Sequence, residues 1–153
     1  MRTLHIFIAG LVLGGVVVGG LGSVSAQPER RAINLPGRTT QAPFSDAVLA
    51  GDTLYLSGRL GMDPETGQPP AEPRQEARNV LDGIKSVLEE AGMTKDDLVS
   101  VQVFCSDVAH YADFNAVYTS YFTSDPPARA FVGSGALLRG ARFEVMGVAV
   151  RRP

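Results

Sequence analysis

The chain has 153 residues, with 14 Lys and Arg against 16 Asp and Glu, a formal net charge of −2, and one cysteine. That length suits one domain with a real core. The acidic balance lacks the clustered basic footprint that nucleic acid requires, and the lone Cys105 excludes an internal disulfide.

Met1-Arg-Thr-Leu-His is a short basic start, Ile6 to Gly22 is apolar and uncharged, and Val24-Ser25-Ala26 places small residues before Gln27. This order reads as a secretory signal peptide over residues 1–26, cleaved after Ala26. The apolar run approaches the roughly 20 residues of a membrane span, but its many glycines and small-residue exit favour removal. No cysteine at the exit offers a lipid anchor. The expected product is periplasmic or secreted, with no stable membrane association after cleavage. Arg2 is the only Lys, Arg, Asp or Glu in the removed piece, so 13 basic and 16 acidic side chains remain.

Residues 27–41 are polar and broken by Pro28, Pro36 and Gly37, and read as a linker in which only Ala32 to Leu35 could pair as an edge strand. The domain follows over 42–153. Phe44 to Ala50 and Thr53 to Ser57 alternate as strands, and Gly51-Asp52 between them suits a tight hairpin turn. The clearest helix carries Ala77, Val80, Leu81, Ile84, Val87, Leu88 and Ala91 at helical spacing, with Pro73 in its first turn and Gly92 at its stop. Its Arg, Glu, Lys and Asp side chains are expected to be solvated.

Leu98 to Cys105 reads as a strand that sets Cys105 on one face with Val99, Val101 and Val103, which makes it a packed core thiol rather than a nucleophile. A second helix carries Phe114, Val117, Tyr118, Tyr121 and Phe122 as an aromatic stripe, expected in the core. His110 precedes it in an exposed or capping position. The order β-β-α-β-α-β-β predicts an α+β domain with two helices on one face of a mixed sheet.

Chemistry concentrates in the last two strands. Arg129 shares a face with Phe131, and Glu144 shares one with Met146, Val148 and Val150. A guanidinium in a strand interior needs a partner or a ligand. The pattern leaves two readings open: an Arg129 to Glu144 ion pair that closes the sheet interior, or a grip on a small anion. Other chemistries lack residues. His110 is the only histidine after residue 26, which leaves no zinc cluster and no Ser-His-Asp set, and the glycines at 133, 135 and 140 lack a phosphate loop's Lys-Ser/Thr ending. No cofactor and no metal are implied.

The run from Pro126 to Val150 resembles the C-terminal signature of the RidA (YjgF) family of reactive intermediate deaminases. Ala42 to Gly61 resembles the family's opening hairpin, Asp63-Pro-Glu-Thr-Gly its next turn, Gln75 to Gly92 its long helix, and Val101 to Val108 with Phe114 to Phe122 its central strand and second helix. The resemblance implies a chorismate-mutase-like fold, a homotrimer with sites between subunits, and hydrolysis of 2-imino or enamine acids to 2-oxo acids and ammonia. It assigns Arg129 to the substrate carboxylate and Glu144 to water, with Phe44, Ser57, Gly58, Asn115 and Phe131 lining the pocket. In the best-studied branch Phe44 is tyrosine and Phe131 cysteine, which points to a bulkier or aromatic imine here. The rival readings are a non-catalytic trimer that binds small carboxylates and an RNA-cleaving relative, the latter disfavoured by acidity and export.

Overall fold

The computed structural model describes residues 29–38, 42–122 and 124–152, so the expected signal peptide lies outside the described residues. The strands are β1 (Arg30–Ile33), β2 (Ala47–Ala50), β3 (Thr53–Leu60), β4 (Leu98–Cys105), β5 (Ala128–Gly133) and β6 (Phe143–Val150), and the helices are α1 (Pro73–Glu90) and α2 (Tyr111–Tyr121). Gly51 and Asp52 do close the β2–β3 hairpin, with Ala50 opposite Thr53 and Gly51 at φ 59°, a conformation that favours glycine. β1 pairs antiparallel with β2 two residues earlier than the expected edge strand. Phe44 stands outside β2, and β3 runs on to Leu60.

The six strands form one sheet in the order β1-β2-β3-β6-β4-β5, in which only β4 and β5 are parallel. A parallel pair needs a crossover, and α2 supplies it. The last strand in sequence therefore lies in the middle of the sheet, antiparallel to both β3 and β4. Both helices cover one face, as the pattern predicts. Leu54 and Leu56 of β3, Val101 and Val103 of β4, and Phe143 and Val145 of β6 are buried there with the apolar residues of α1 and with Phe114, Val117 and Tyr118 of α2.

α1 ends in a paired set of backbone bonds, Gly92 N–H to Glu89 O and Met93 N–H to Leu88 O, with Gly92 at φ 72°. This left-handed stop satisfies the last carbonyls and needs glycine. Among the described residues no helix is long and apolar enough to cross a membrane.

Two sequence expectations change. Val99 does not share the buried face with Cys105: the β4–β6 register slips between Leu98 and Ser100, so Leu98 turns inward and Val99 is exposed. Cys105 itself is a buried core thiol, as expected, and donates through Sγ to Asp107 O. Burial pushes its ionisation up.

The charged residues of α1 are not all solvated, because Glu76 is wholly buried. Its Oε1 accepts the backbone N–H groups of Arg142 (2.6 Å) and Phe143 (3.1 Å), and its Oε2 pairs with Arg142 Nη1 at 2.6 Å. The same guanidinium donates to Pro70 O and Ala71 O. One carboxylate thus ties α1, the segment before it and the entry to β6 together. Glu76→Ala would strand a charge and two backbone donors, so urea unfolding at fixed protein concentration should show a loss of about 3–5 kcal/mol. Glu89→Ala, which removes only an exposed (i, i+4) partner of Lys85, should cost less than about 0.5 kcal/mol. Equal losses in the two variants would contradict the clamp.

Candidate active site

Arg129 lies opposite Val101, and Phe131 opposite Val103, on the parallel β4–β5 pair. Neighbours across a ladder point to the same side, so both side chains rise from the helix-covered face at the edge strand, beneath α2. Asn115 and Tyr118, one turn apart on α2, reach the same guanidinium. Asn115 Oδ1 accepts Arg129 Nη2 at 2.7 Å, and the Tyr118 ring centroid lies 4.3 Å from Arg129 Cζ. The rings of Phe131 and Tyr111 stand farther away, at 5.9 and 6.0 Å, and meet each other edge to face at 4.9 Å. No carboxylate pairs with Arg129 among the described residues.

A guanidinium carries five N–H donors, and Arg129 uses one of them here. The rest meet no acceptor among the described residues. Beside it opens a cavity of about 370 Å³ lined by Asn115, Tyr118, Thr119, Phe122, Pro126 and Pro127. A half-buried cation with unmet donors at the end of a mostly apolar recess is suited to a small carboxylate.

Glu144 is found elsewhere. It lies opposite Phe104 on β4 and Leu60 on β3, and the adjoining pair, Phe143 and Cys105, is buried beneath the helices. Alternation therefore turns Glu144 to the open face of the sheet, with Met146 and Val148. The Arg129 to Glu144 ion pair that alternation left open does not form, because the two residues occupy opposite faces with β4 between their strands. The carboxylate of Glu144 makes no hydrogen bond or ion pair among the described residues.

The other expected residues divide the same way. Gly58 sits at the β3 register shift between Leu56 and Arg59, against the side chain of Glu144. Ser57 Oγ donates to Ser45 O at 2.7 Å and so ties β3 to the approach to β2. Phe44 is 57% exposed, with the Arg38 guanidinium 5.3 Å from its ring centroid and Arg38 Nη2 bonded to its carbonyl. Phe44 and Ser57 line a cavity of about 770 Å³ that also includes Asn34, Arg38, Ser45 and Val48. The expected residues thus fall in separate places: Arg129, Asn115 and Phe131 beneath α2, Glu144 against Gly58 on β6 and β3, and Ser57 with Phe44 along the cavity beside β2.

Residue types alone did not single out Tyr111, Tyr118 or Arg38. The aromatic stripe of α2 is core, as expected, yet one face of the Tyr118 ring carries the Arg129 guanidinium. Burial pushes the Tyr118 phenol up, partly offset by the Arg129 charge. His110 begins α2 without a side-chain cap and instead meets the Phe143 ring edge-on at 6.2 Å, while Asp107 accepts Ala109 N–H just before it. Among the described residues no group of three or more His, Cys, Asp or Glu is placed to hold a metal ion.

Comparisons with known proteins agree with this architecture. The model of the family described as Endoribonuclease L-PSP matches residues 36–151. The chain is 40% identical over 112 residues to a 2-iminobutanoate/2-iminopropanoate deaminase of Bos taurus, covering 72% of this chain and 82% of that protein. The human protein of the same name is 37% identical over the same shares. Among solved structures, the YjgF gene product of E. coli superposes with a TM-score of 0.74 at 32% identity, covering 80% of this chain and 99% of that one. RidA from the Antarctic bacterium Psychrobacter gives 0.73 at 31% identity, over 79% of this chain and 99% of its own.

The contact between Gly58 and Glu144 is directly testable. A methyl at Gly58 would overlap Glu144 Oε1, the far end of a flexible side chain. Gly58→Ala should therefore cost the fold less than about 1.5 kcal/mol while displacing the carboxylate. Urea unfolding and a crystal structure of the variant check the two halves; an unmoved Glu144 would contradict the contact.

Proposed function

The chain belongs to the Endoribonuclease L-PSP (RidA/YjgF) family, and on that premise we propose that it is a hydrolase converting reactive 2-imino and enamine acids to 2-oxo acids and ammonia. The observation that carries the reading is Arg129, a half-buried guanidinium with unmet donors and no carboxylate partner among the described residues, beside a small apolar recess. Deaminase relatives at about 40% identity support the reaction class.

In the proposed mechanism the Arg129 fork binds the substrate carboxylate through two parallel hydrogen bonds and fixes the adjacent C=N carbon. Protonation of the imine nitrogen makes that carbon electrophilic. A water oriented by Glu144 adds to it, Glu144 accepts the water's proton, and a carbinolamine forms. Glu144 returns that proton to the carbinolamine nitrogen, the C–N bond breaks to expel ammonia, and loss of the hydroxyl proton to solvent leaves the 2-oxo acid. Such substrates hydrolyse unaided, so the barrier to be removed is modest and needs no covalent nucleophile.

Arg129 and Glu144 cannot meet within one chain, since they lie on opposite faces of one sheet. The mechanism therefore requires a neighbouring subunit to bring the second half-site. A homotrimer with three interfacial sites satisfies that requirement. The open face supports assembly: Tyr55 (53% exposed), Val99, Val132 and Val150 are apolar residues there that no helix covers. Phe44 and Phe131 suit a bulkier or aromatic imine, and the N-terminal residues suit export to the periplasm or beyond.

The deciding experiment supplies 2-iminopropanoate or 2-iminobutanoate, generated in situ by an amino acid oxidase, and measures 2-oxo acid formation above the spontaneous rate. Turnover supports the enzyme, and saturable binding without turnover supports the carboxylate-binding rival. Arg129→Ala should lower the rate at least ~100-fold in a folded protein, because a charged bidentate contact is worth several kcal/mol in the transition state. Arg129→Lys should rescue it poorly, and Glu144→Gln should slow turnover while keeping affinity for 2-oxobutanoate. Full activity in folded Arg129→Ala would overturn the assignment. Native mass spectrometry of the exported product should find a trimer of chains that begin at or near Gln27; a monomer at micromolar concentration would remove the interfacial site, and an intact Met1 the export.

A further inference from the structure

The half-site beneath α2 holds its guanidinium in an unusual way. A planar cation bonded only along one edge, as Arg129 Nη2 is to Asn115 Oδ1, can still rock about that hydrogen bond. A ring laid against its face removes the remaining freedom. The guanidinium carbon Arg129 Cζ sits over the Tyr118 ring, 4.3 Å from its centroid, whereas Tyr111 and Phe131 stand near the outer limit at which a ring holds a cation. Asn115 and Tyr118 are three residues apart on α2, so one helical turn supplies both constraints.

The hydroxyl of Tyr118 takes no part in this. Among the described residues it is the buried side-chain polar atom left without any hydrogen-bond partner. Phenylalanine would keep the ring and remove an unsatisfied group. Because burial also pushes the phenol's ionisation up, the side chain is neutral at working pH and supplies no base.

We propose that Tyr118 is a positioning residue for the carboxylate clamp: its ring face fixes the plane of the Arg129 guanidinium, and its hydroxyl is dispensable. The proposal rests on the reading of Arg129 as that clamp. The ring's contribution lies in binding a carboxylate that is present before and throughout the reaction. Its weakening therefore raises KM more than it lowers kcat.

The test keeps the shape of the ring and changes only its electrostatics. Phenylalanine and its 4-fluoro, 3,5-difluoro and 3,4,5-trifluoro analogues are placed at position 118 of the trimeric protein by nonsense suppression. The readouts are KM and kcat for 2-iminobutanoate, and the Kd of 2-oxobutanoate by calorimetry where turnover is absent. Tyr118→Phe should match the parent. KM and Kd should then rise stepwise with fluorination, by about threefold to tenfold at the trifluoro ring, with kcat changed less than about twofold. Tyr118→Leu should be weaker still.

A flat series would overturn the proposal, as would Tyr118→Phe falling as far as Tyr118→Leu, which would assign the role to the hydroxyl. Arg129→Ala in the same assay separates the two levels. If it keeps full activity, the clamp reading itself fails; if it falls while the fluorinated series stays flat, only the role of Tyr118 fails.

Discussion

A glutamate with no exposure to solvent fixes where the last strand begins. Glu76 spends one oxygen on two successive backbone N–H groups, those of Arg142 and Phe143, and the other on the Arg142 guanidinium. A carboxylate in such a place is tolerable only when its lone pairs are met, and they are met by the residues that immediately precede Glu144. The first turn of α1 therefore sets the start of β6, and β6 in turn sets which residues face the helices and which face away. The orientation of Glu144 away from Arg129 follows from that register.

The handling of charge differs sharply between the two ends of this arrangement. Glu76 and Arg142 neutralise each other with many hydrogen bonds, so that pair is structural. Arg129 is held instead by aromatic faces and one neutral amide. These orient the cation without cancelling its charge or consuming most of its donors. A carboxylate in place of Asn115 would fill the same space but compete directly with an anionic ligand. The contrast explains why two arginines in the same C-terminal region have such different capacities to bind something else.

Much of the architecture was legible in the sequence because it is periodic. The spacing of Ala77, Val80, Ile84 and Val87 defines α1, Gly51-Asp52 marks the hairpin, and alternation correctly groups Arg129 with Phe131 and Glu144 with Met146 and Val148. Alternation cannot say whether two such faces coincide. That depends on which strands pair and in which direction, and here the pairing places Arg129 and Glu144 on opposite sides. The slip at Leu98 and Ser100 defeated simple alternation for Val99, since one irregular residue reverses the assignment of its neighbour. Glu76 did leave a signal: it stands four residues before Val80 and eight before Ile84, on the apolar stripe itself. The face that Tyr118 offers to Arg129 left none, because a ring at core spacing looks the same whether its far side meets leucine or a guanidinium.

The position of β6 bears on how the chain reaches its folded state. Residues 143–150 follow all the other described strands in sequence, yet they form the seam between β3 and β4. Until they arrive, β1–β3 and β4–β5 are two small sheets with no strand to join them, and each presents an unpaired edge where the centre will be. Closure therefore requires contacts between distant parts of the chain, which slows folding. Losing the final strand would remove the join between the two sheets rather than trim one edge, and would leave two sticky fragments in place of a shortened domain.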